Sequence, residues 1–385
     1  MARAYARRMS SSLFDRSDYP TLTESIYLNQ ASLGLIGRAS VDAMHRFLDD
    51  IGRHGNLHMS DEDEVAFLDA LRHRAASLFQ TEAGRIAILS SASELLGQLP
   101  FILQPPHGAK VVVVASDFPA ITRPWLRLAE RGECRLDFVD DDPESDLTTD
   151  LIARIDEHTA VVAVGSVQYA TGSVIDVPRL RAVTAAAGVD LVVDATQGAG
   201  AMETSSGAWE AEVVISSGYK WLGGHGGVAI GVLAPRLADM TPPLPGWMGA
   251  PDPFHFDATR MLLAEGARRF TQSTMSYVSV VGLTTAIDLL LATGMQRVEH
   301  HAARLANLLV GAVEPHGWRP FRHLDDRAAS PHIISLGRDG DESAETLQRL
   351  RARRVVCSTR GGRLRVSLAP YNDEDDIAAL VDVLV

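Results

Sequence analysis

The sequence predicts an α/β fold: a large domain with a mainly parallel, seven-stranded sheet covered by helices, then a smaller α+β domain. Three observations carry this. Seven short apolar runs rich in β-branched residues lie between residues 85 and 233. Helix-like segments alternate with them. Near residue 280 the pattern changes to long helical stretches and shorter strands. Continuous apolar runs bounded by Gly, Pro, Asp or Ser suit strands buried on both faces of a sheet. Their alternation with helices places those helices on the sheet faces.

In order, the strands are RIAILS (85–90), KVVVVAS (110–116), RLDFVD (135–140), TAVVAVGSV (159–167), DLVVDAT (190–196), EVVISS (212–217) and GVAIGVL (227–233). ITRPWLRLAERG and DLTTDLIARIDEH are helix-like pieces between them. The acidic run VDDDPESD (139–146) reads as a solvated loop. Beyond residue 280, two helices are expected with a break near Gly294, then strands at HIISLG (332–337), RRVVCS (353–358) and GRLRVSL (362–368). A last helix is expected at DEDDIAALVDVLV. The expected division is a polar tail over 1–20, a large domain over 21–275 and a small domain over 276–385. The N-terminal part of the large domain is expected to pack on the small one.

Composition narrows the function. The 385-residue chain carries a net charge of −13, which argues against a nucleic-acid partner, since phosphate backbones need a basic face. Two cysteines, Cys134 and Cys357, cannot build a disulfide framework or a multi-cysteine metal site. His54 and His58 have i, i+4 spacing, but Gly55 and Asn56 weaken the helix this would need, so no metal is expected. No apolar run has membrane-spanning length, so no membrane partner is expected. The N-terminus is rich in Arg and Ser and contains a twin arginine, but Asp15, Arg16 and Asp18 interrupt any apolar signal core. A cytoplasmic protein is the expectation.

The chain holds only two lysines, Lys110 and Lys220, among 36 basic residues. Lys110 starts a strand after a Pro–Gly loop and should be solvent-exposed. Lys220 stands in SSGYKWLGGHGG, after an apolar strand and before Gly223, Gly224, Gly226 and Gly227. Glycines let backbone approach a flat ligand closely. A lysine desolvated at the mouth of a sheet becomes a nucleophilic amine, while a surface lysine after a strand is the ordinary alternative. Asp194 ends the apolar strand of VVDATQGAGAM, the edge where open α/β sheets bind ligands. A carboxylate there needs a cation, and a protonated pyridine nitrogen would serve. Gln197 could donate to a phenolic oxygen. The rival reading, a dinucleotide fingerprint starting at Gly198 and Gly200, fails at Glu203, where a third small residue belongs. In LSSASELLG (89–97), Ser93 and Glu94 give a weak helix-cap signal at an N-terminus suited to phosphate. A phosphate cup, an acid for a ring nitrogen and a lysine for an aldehyde are what pyridoxal 5′-phosphate requires.

These segments resemble the class V aminotransferase group of fold-type-I pyridoxal-phosphate enzymes, which includes cysteine desulfurases, kynureninases, isopenicillin-N-epimerase-like proteins and carbon–sulfur lyases. The resemblance runs from about residue 26 to the C-terminus. YLNQASLG (27–34) resembles the group's opening segment and implies Asn29 near the substrate. LSSASE implies Ala92 and Ser93 at the phosphate. SDFPAITRPW (116–125) implies Phe118 stacked on the cofactor. VQYATG (167–172) implies Gln168, with Tyr169, at the phenolic oxygen or the substrate. DATQ is similar to the group's segment carrying Asp194 and Gln197. SGYK implies Ser217 and Tyr219 on the phosphate and Lys220 as the amine joined to the aldehyde. ARRFTQSTMSY (267–277) implies Thr274 reaching a partner's phosphate, hence a homodimer. RLRVSLAPYNDEDDI (363–377) implies Arg365 gripping a substrate carboxylate.

Two departures matter. His225 stands where many members have proline, so it could face the substrate. Cys357 lies eight residues before Arg365 in a strand-like run, which speaks against a persulfide-forming desulfurase. The loop GWMGAPDPFHF (246–256) is expected to shape the substrate pocket. The resemblance implies a lyase or aminotransferase acting on an amino acid or its conjugate, leaning to β-elimination at a carbon–sulfur bond. Transamination, epimerisation and kynureninase-like carbon–carbon cleavage are the alternatives within the group. A catalytically silent cofactor-binding module and a nicotinamide oxidoreductase are the alternatives outside it.

Overall fold

The structure, a computed structural model, describes residues 12–340 and 343–385. A short first strand, β1 (Ile26–Tyr27), precedes the seven of the large sheet: β2 (Ile86–Leu89), β3 (Ala109–Val114), β4 (Cys134–Val139), β5 (Thr159–Gly165), β6 (Asp190–Asp194), β7 (Val213–Ser217) and β8 (Ala229–Leu233). All seven expected strands are present, with ends shifted by no more than two residues. Their spatial order is β2–β8–β7–β6–β5–β3–β4. From β7 to β4 every pairing is parallel. Strand β8 runs antiparallel to both β7 and β2, so β2 points the same way as the parallel set.

The period of two along a strand explains the apolar runs. In β3, Val112 and Val114 enter the core on one sheet face, and Val111 and Val113 the core on the other. Each fully buried valine contributes about 1.5–3 kcal/mol of transfer free energy. Alternation with polar residues would forfeit half of that.

The helices Tyr277–Thr293 and Met295–Val313 meet at Gly294, whose φ of +86° ends the first. Val280, Leu283, Ile287 and Leu290 of the first helix are buried in the large sheet's core, whereas Leu305 and Leu309 of the second enter the small domain's core. The sequence division at residue 276 assigns the first helix to the small domain; its side chains pack with the large sheet. Gly282 permits close contact with the helix Arg38–His54, since a Cβ there would lie 2.6 Å from Met44 Sδ. No single helix among the described residues is long and apolar enough to cross a membrane.

The remaining strands are β9 (Arg319–Pro320), β10 (Ile333–Gly337), β11 (Val355–Val356), β12 (Ser358–Arg360) and β13 (Arg363–Ser367). The order β12–β13–β10–β9 makes an antiparallel sheet. β11 leaves it to pair with β1 in parallel, so RRVVCS is split around Cys357. Leu28 lies in the small domain's core.

Two sequence expectations are corrected here. Residues 12–20 are not a frayed tail. The N–H groups of Leu13 and Phe14 donate to Pro370 O, Arg16 pairs with Asp373 and Asp376, and Tyr19 packs buried against Tyr371. The charge of Arg16 satisfies two buried carboxylates. The twin arginine at residues 7–8 lies outside the described residues. Within the acidic run, Asp141 is not solvated: its side chain is 1% exposed and pairs with Arg322 at 3.0 Å.

Candidate active site

Five loops converge beyond one edge of the large sheet, at the C-terminal ends of β2, β3, β5, β6 and β7. Their residues line one cavity, which includes Ala92, Ser93, Asp117, Phe118, Asp194 and Lys220. The edge is the expected one for an open α/β sheet.

Lys220 follows the turn after β7 and is buried. Its Nζ stands 5.3 Å from the Phe118 ring centroid and 5.7 Å from that of Tyr219. Burial lowers its pKa to about 8, against the pull of Asp194; Arg365 and Arg360 lower it further. At that value a substantial neutral fraction exists at physiological pH, and the neutral form is the nucleophile. Lys110 differs. It is not solvent-exposed as expected, because Nζ donates to Asp156 at 2.7 Å and to Arg154 O, leaving 11% of the side chain exposed. An ion pair and a carbonyl hold that amine in place.

Asp194, the last residue of β6, is buried and accepts from Thr196 N at 2.8 Å. Burial raises its pKa, and the Thr196 hydrogen bonds and Lys220 oppose that. Gln197 lines the cavity while accepting from Trp221 Nε1 and donating to Ala31 O. Ser217 and Tyr219 line it as well, and Ser217 N donates to Thr196 Oγ1. Phe118 is 41% exposed, so this ring is not a core side chain; it meets Tyr169 edge-on at 5.5 Å. Ala92 and Ser93 open the helix Ala92–Leu96, but the cap is Ser91, whose side chain accepts from Glu94 N. Glu94 accepts from Ser90 instead.

Arg365, on β13, is 1% exposed and is therefore not a surface arginine. It donates to Ser358 Oγ at 3.2 Å, Tyr169 O at 2.7 Å and Ser32 Oγ at 2.5 Å. All three partners are neutral. Burial and the neighbouring Arg360 lower its pKa to about 10, so it stays cationic at neutral pH. Asn29 accepts from Ser32 Oγ at 2.8 Å and so lies one hydroxyl away from the guanidinium.

Several expected residues fall elsewhere. Gln168 is buried and donates to Asp117 and to Gly165 O, outside the cavity lining. Tyr169 lines the cavity in its place. His225 is exposed with Nδ1 3.0 Å from Gly226 O, and it is not among the residues lining the cavity. Thr274 is exposed and outside its own chain's cavity. The loop at 246–256 lines a separate surface cavity with residues 257–263. His54 and His58 are brought together after all. The chain turns back at Gly55, with φ +59°, and both Nδ1 atoms lie 2.8 Å from Asp50 Oδ1.

Asp117 and Thr196 were quoted in the sequence segments without a role. Asp117 accepts from Gly165 N at 2.6 Å, Phe118 N at 2.7 Å and Gln168 Nε2, and burial raises its pKa to about 7. It ties the loops after β3 and β5 together beside Phe118. The signal was an aspartate immediately after a buried strand at the ligand edge, which reads equally well as a turn residue.

Residues 26–380 match the family described as aminotransferase class-V. The chain belongs to the class-V aminotransferase family. It is therefore a pyridoxal-phosphate-dependent enzyme of lyase or aminotransferase type. It is 24% identical to the uncharacterized aminotransferase YcbU of Bacillus subtilis, covering 95% of both chains. It is also 24% identical to the cysteine desulfurase CsdA of Escherichia coli, covering 96% of both. Its fold matches the cystine C–S lyase C-DES, solved with its product cysteine persulfide, at a TM-score of 0.85. That match has 18% identity and covers 95% of this chain and 98% of the other.

The residues present fit a class-V cofactor. Asp194 is a buried carboxylate with only a neutral donor in hydrogen-bond contact, which suits a protonated ring nitrogen. Phe118 is a partly exposed ring beside Lys220, and Ser91, Ser93, Ser217 and Tyr219 line the same cavity.

Proposed function

We propose that this class-V enzyme is a lyase that acts on a small amino acid or amino-acid conjugate, cleaving a carbon–sulfur bond by β-elimination. The observation that carries this reading is a pair of buried cations with separate tasks. Lys220 is an amine with its pKa lowered to about 8, and Arg365 is a guanidinium whose partners are all neutral. Pyridoxal phosphate held by Asp194, Phe118, Ser93, Ser217 and Tyr219 would supply an aldehyde for the substrate amine and an electron-accepting ring. Arg365 then holds the substrate carboxylate, which fixes the α-carbon. Asp194 would keep positive charge on the ring nitrogen of the bound cofactor. The amine of Lys220 removes the α-proton as general base and returns a proton where the reaction requires one.

The cysteines support elimination without a protein persulfide. Cys357 is buried, and burial pushes its thiol up to about 12; Cys134 is buried too, with its thiol also raised. Neither offers a thiolate near neutral pH. Kynureninase-like carbon–carbon cleavage is the second reading, favoured by the open Phe118–Tyr169 ring pair, which could face an aromatic substrate. The homodimer with Thr274 reaching the neighbouring site is carried as part of this proposal; the exposed position of Thr274 is compatible with it.

The test is incubation of the enzyme with cysteine, cysteine S-conjugates and kynurenine, following keto acid, ammonia and the cofactor spectrum. Multiple turnovers of keto acid and ammonia from S-conjugates support elimination. Stoichiometric conversion to the pyridoxamine form without a keto-acid acceptor means transamination and overturns it.

A further inference from the structure

One group of side chains outside the cavity has ligand chemistry that the reaction does not use. The helix Arg38–His54 ends at Gly55, whose φ of +59° turns the chain, and Leu57 N donates to His54 O across the turn. His58 is thereby returned to the helix end. Its Nδ1 and that of His54 each lie 2.8 Å from Asp50 Oδ1, and the two ring centroids are 4.3 Å apart. Asp50 and His54 share a helix face through their i, i+4 spacing, and His58 arrives from the turn. Two imidazoles and a carboxylate meet without a helix that continues through residue 58. Their three donor atoms lie within 4.8 Å of one another, and no other group of three such ligands is found among the described residues.

Hydrogen bonding alone gives this cluster little stability. The side chains of Asp50, His54 and His58 are 42%, 41% and 58% exposed, and paired charges in such positions are worth little. Protonating both rings would also place like charges side by side. A single divalent ion takes the place of both protons, so that all three donors face one positive charge. Imidazole nitrogen and carboxylate oxygen are ligands that zinc-class ions accept. Bonds of about 2.0–2.1 Å to a tetrahedral ion put its donors about 3.4 Å apart. The cluster must therefore open slightly, which exposed side chains allow. Electrostatics agree. The partial negative charge of a helix C-terminus favours a cation, and the neighbouring Arg53 is already held by Asp49 at 2.9 Å. The hydrogen bonds from His58 and His54 hold the Asp50 carboxyl below its usual range, so it is ionised at neutral pH.

We propose that Asp50, His54 and His58 form a binding site for one divalent transition-metal ion of the zinc class, with water completing its coordination. None of the three lines the cavity around Lys220, so the site is independent of the lyase reading. The ion ties the end of the helix Arg38–His54 to the turn that follows it.

Calorimetric titration of the untagged holoenzyme with zinc chloride tests this. One saturable ion per chain is expected. Asp50→Asn, His54→Ala and His58→Ala should each weaken binding at least tenfold, whereas His45→Ala, at an exposed histidine of the same helix, should leave it within twofold. Urea midpoints without zinc should be alike for all five proteins, which separates lost ligation from lost folding. With zinc, the midpoint of the unaltered enzyme should rise and that of His58→Ala should not. Absence of saturable binding overturns the proposal. So does binding that the three cluster variants leave within twofold, or that His45→Ala weakens equally.

Discussion

Gln30 donates from Nε2 to the carbonyl oxygen of Lys220 at 2.9 Å, across 190 positions of sequence. Its Oε1 accepts from Tyr371 OH at 2.7 Å. One buried amide therefore joins the N-terminal segment, the lysine loop and the C-terminal segment. Beside it, Gly34 N donates to Tyr219 O. The position of the Lys220 backbone is thus set from behind by Gln30 and Gly34, which are not among the residues lining the cavity. Fixing the backbone fixes the point from which the Lys220 side chain reaches into the cavity.

Gly34→Ala tests this backing directly. A Cβ at Gly34 would lie 2.3 Å from Lys220 O and 2.8 Å from Gln30 Nε2. The first neighbour is backbone, so the lysine loop must shift. Overpacking of this kind costs about 1–3 kcal/mol. Urea unfolding should show that loss, and the yield of the borohydride-trapped Lys220 adduct should fall severalfold. An unchanged yield with lowered stability would mean that the loop absorbs the shift without moving the amine.

The depressed pKa of Lys220 has a defined sign in the cofactor-free protein. The unfolded chain holds that proton up to about 10.5 and the native state only to about 8. Between those values the unfolded state binds more protons, so native stability rises with pH across this window. Below pH 8 the buried charge costs about 3 kcal/mol relative to a neutral side chain. Lys220→Met should therefore be more stable than the unaltered chain at pH 7.5, and the gap should close by pH 10.5. Urea midpoints at both pH values measure it; a gap independent of pH would remove the argument for a desolvated amine.

Much of this site is legible in the sequence, and the reason is local. Lys220, Asp194 and Ser93 each follow an apolar strand at the ligand edge, so strand position alone delivers them to one place. Gln30, Asp117 and Gln168 are different. Their roles depend on which distant backbone group faces them: Lys220 O for Gln30, Gly165 N for Asp117. Gln168 lies next to the cavity in sequence, yet its amide turns to Asp117, because a buried carboxylate outcompetes an open cavity for a donor. The side on which the helix Tyr277–Thr293 packs is hard to read from sequence for a related reason. It is apolar around much of its circumference, so its composition names no preferred side.

Cys357 separates two routes of sulfur chemistry. It lies in the small domain's core with its thiol raised to about 12. Iodoacetamide should leave it unlabelled in the native enzyme and label it after denaturation. Cys357→Ala removes a small buried group, for a cost of about 1 kcal/mol, and should leave the proposed carbon–sulfur cleavage within twofold. A hundredfold loss, with the fold intact, would show that the thiol takes part.

The N-terminal clasp gives the last test. Arg16 donates to both oxygens of Asp376 at 2.8 and 3.0 Å, lies 3.1 Å from Asp373, and donates to Tyr371 O at 2.9 Å. Both carboxylates are almost fully buried, whereas Arg16 keeps 27% of its side chain in solvent. Removing the partner of a buried charge costs about 3–5 kcal/mol, and the partial exposure of Arg16 lowers that to about 1–3 kcal/mol here. The effect should extend beyond stability, because Tyr371 is also the partner of Gln30. Arg16→Ala is expected to lower the urea midpoint and to reduce trapping of the Lys220 adduct, while Arg16→Lys, which keeps the charge but not the fork, should recover part of both. If stability falls and trapping is untouched, the line from Arg16 through Tyr371 and Gln30 to Lys220 is a structural tie only.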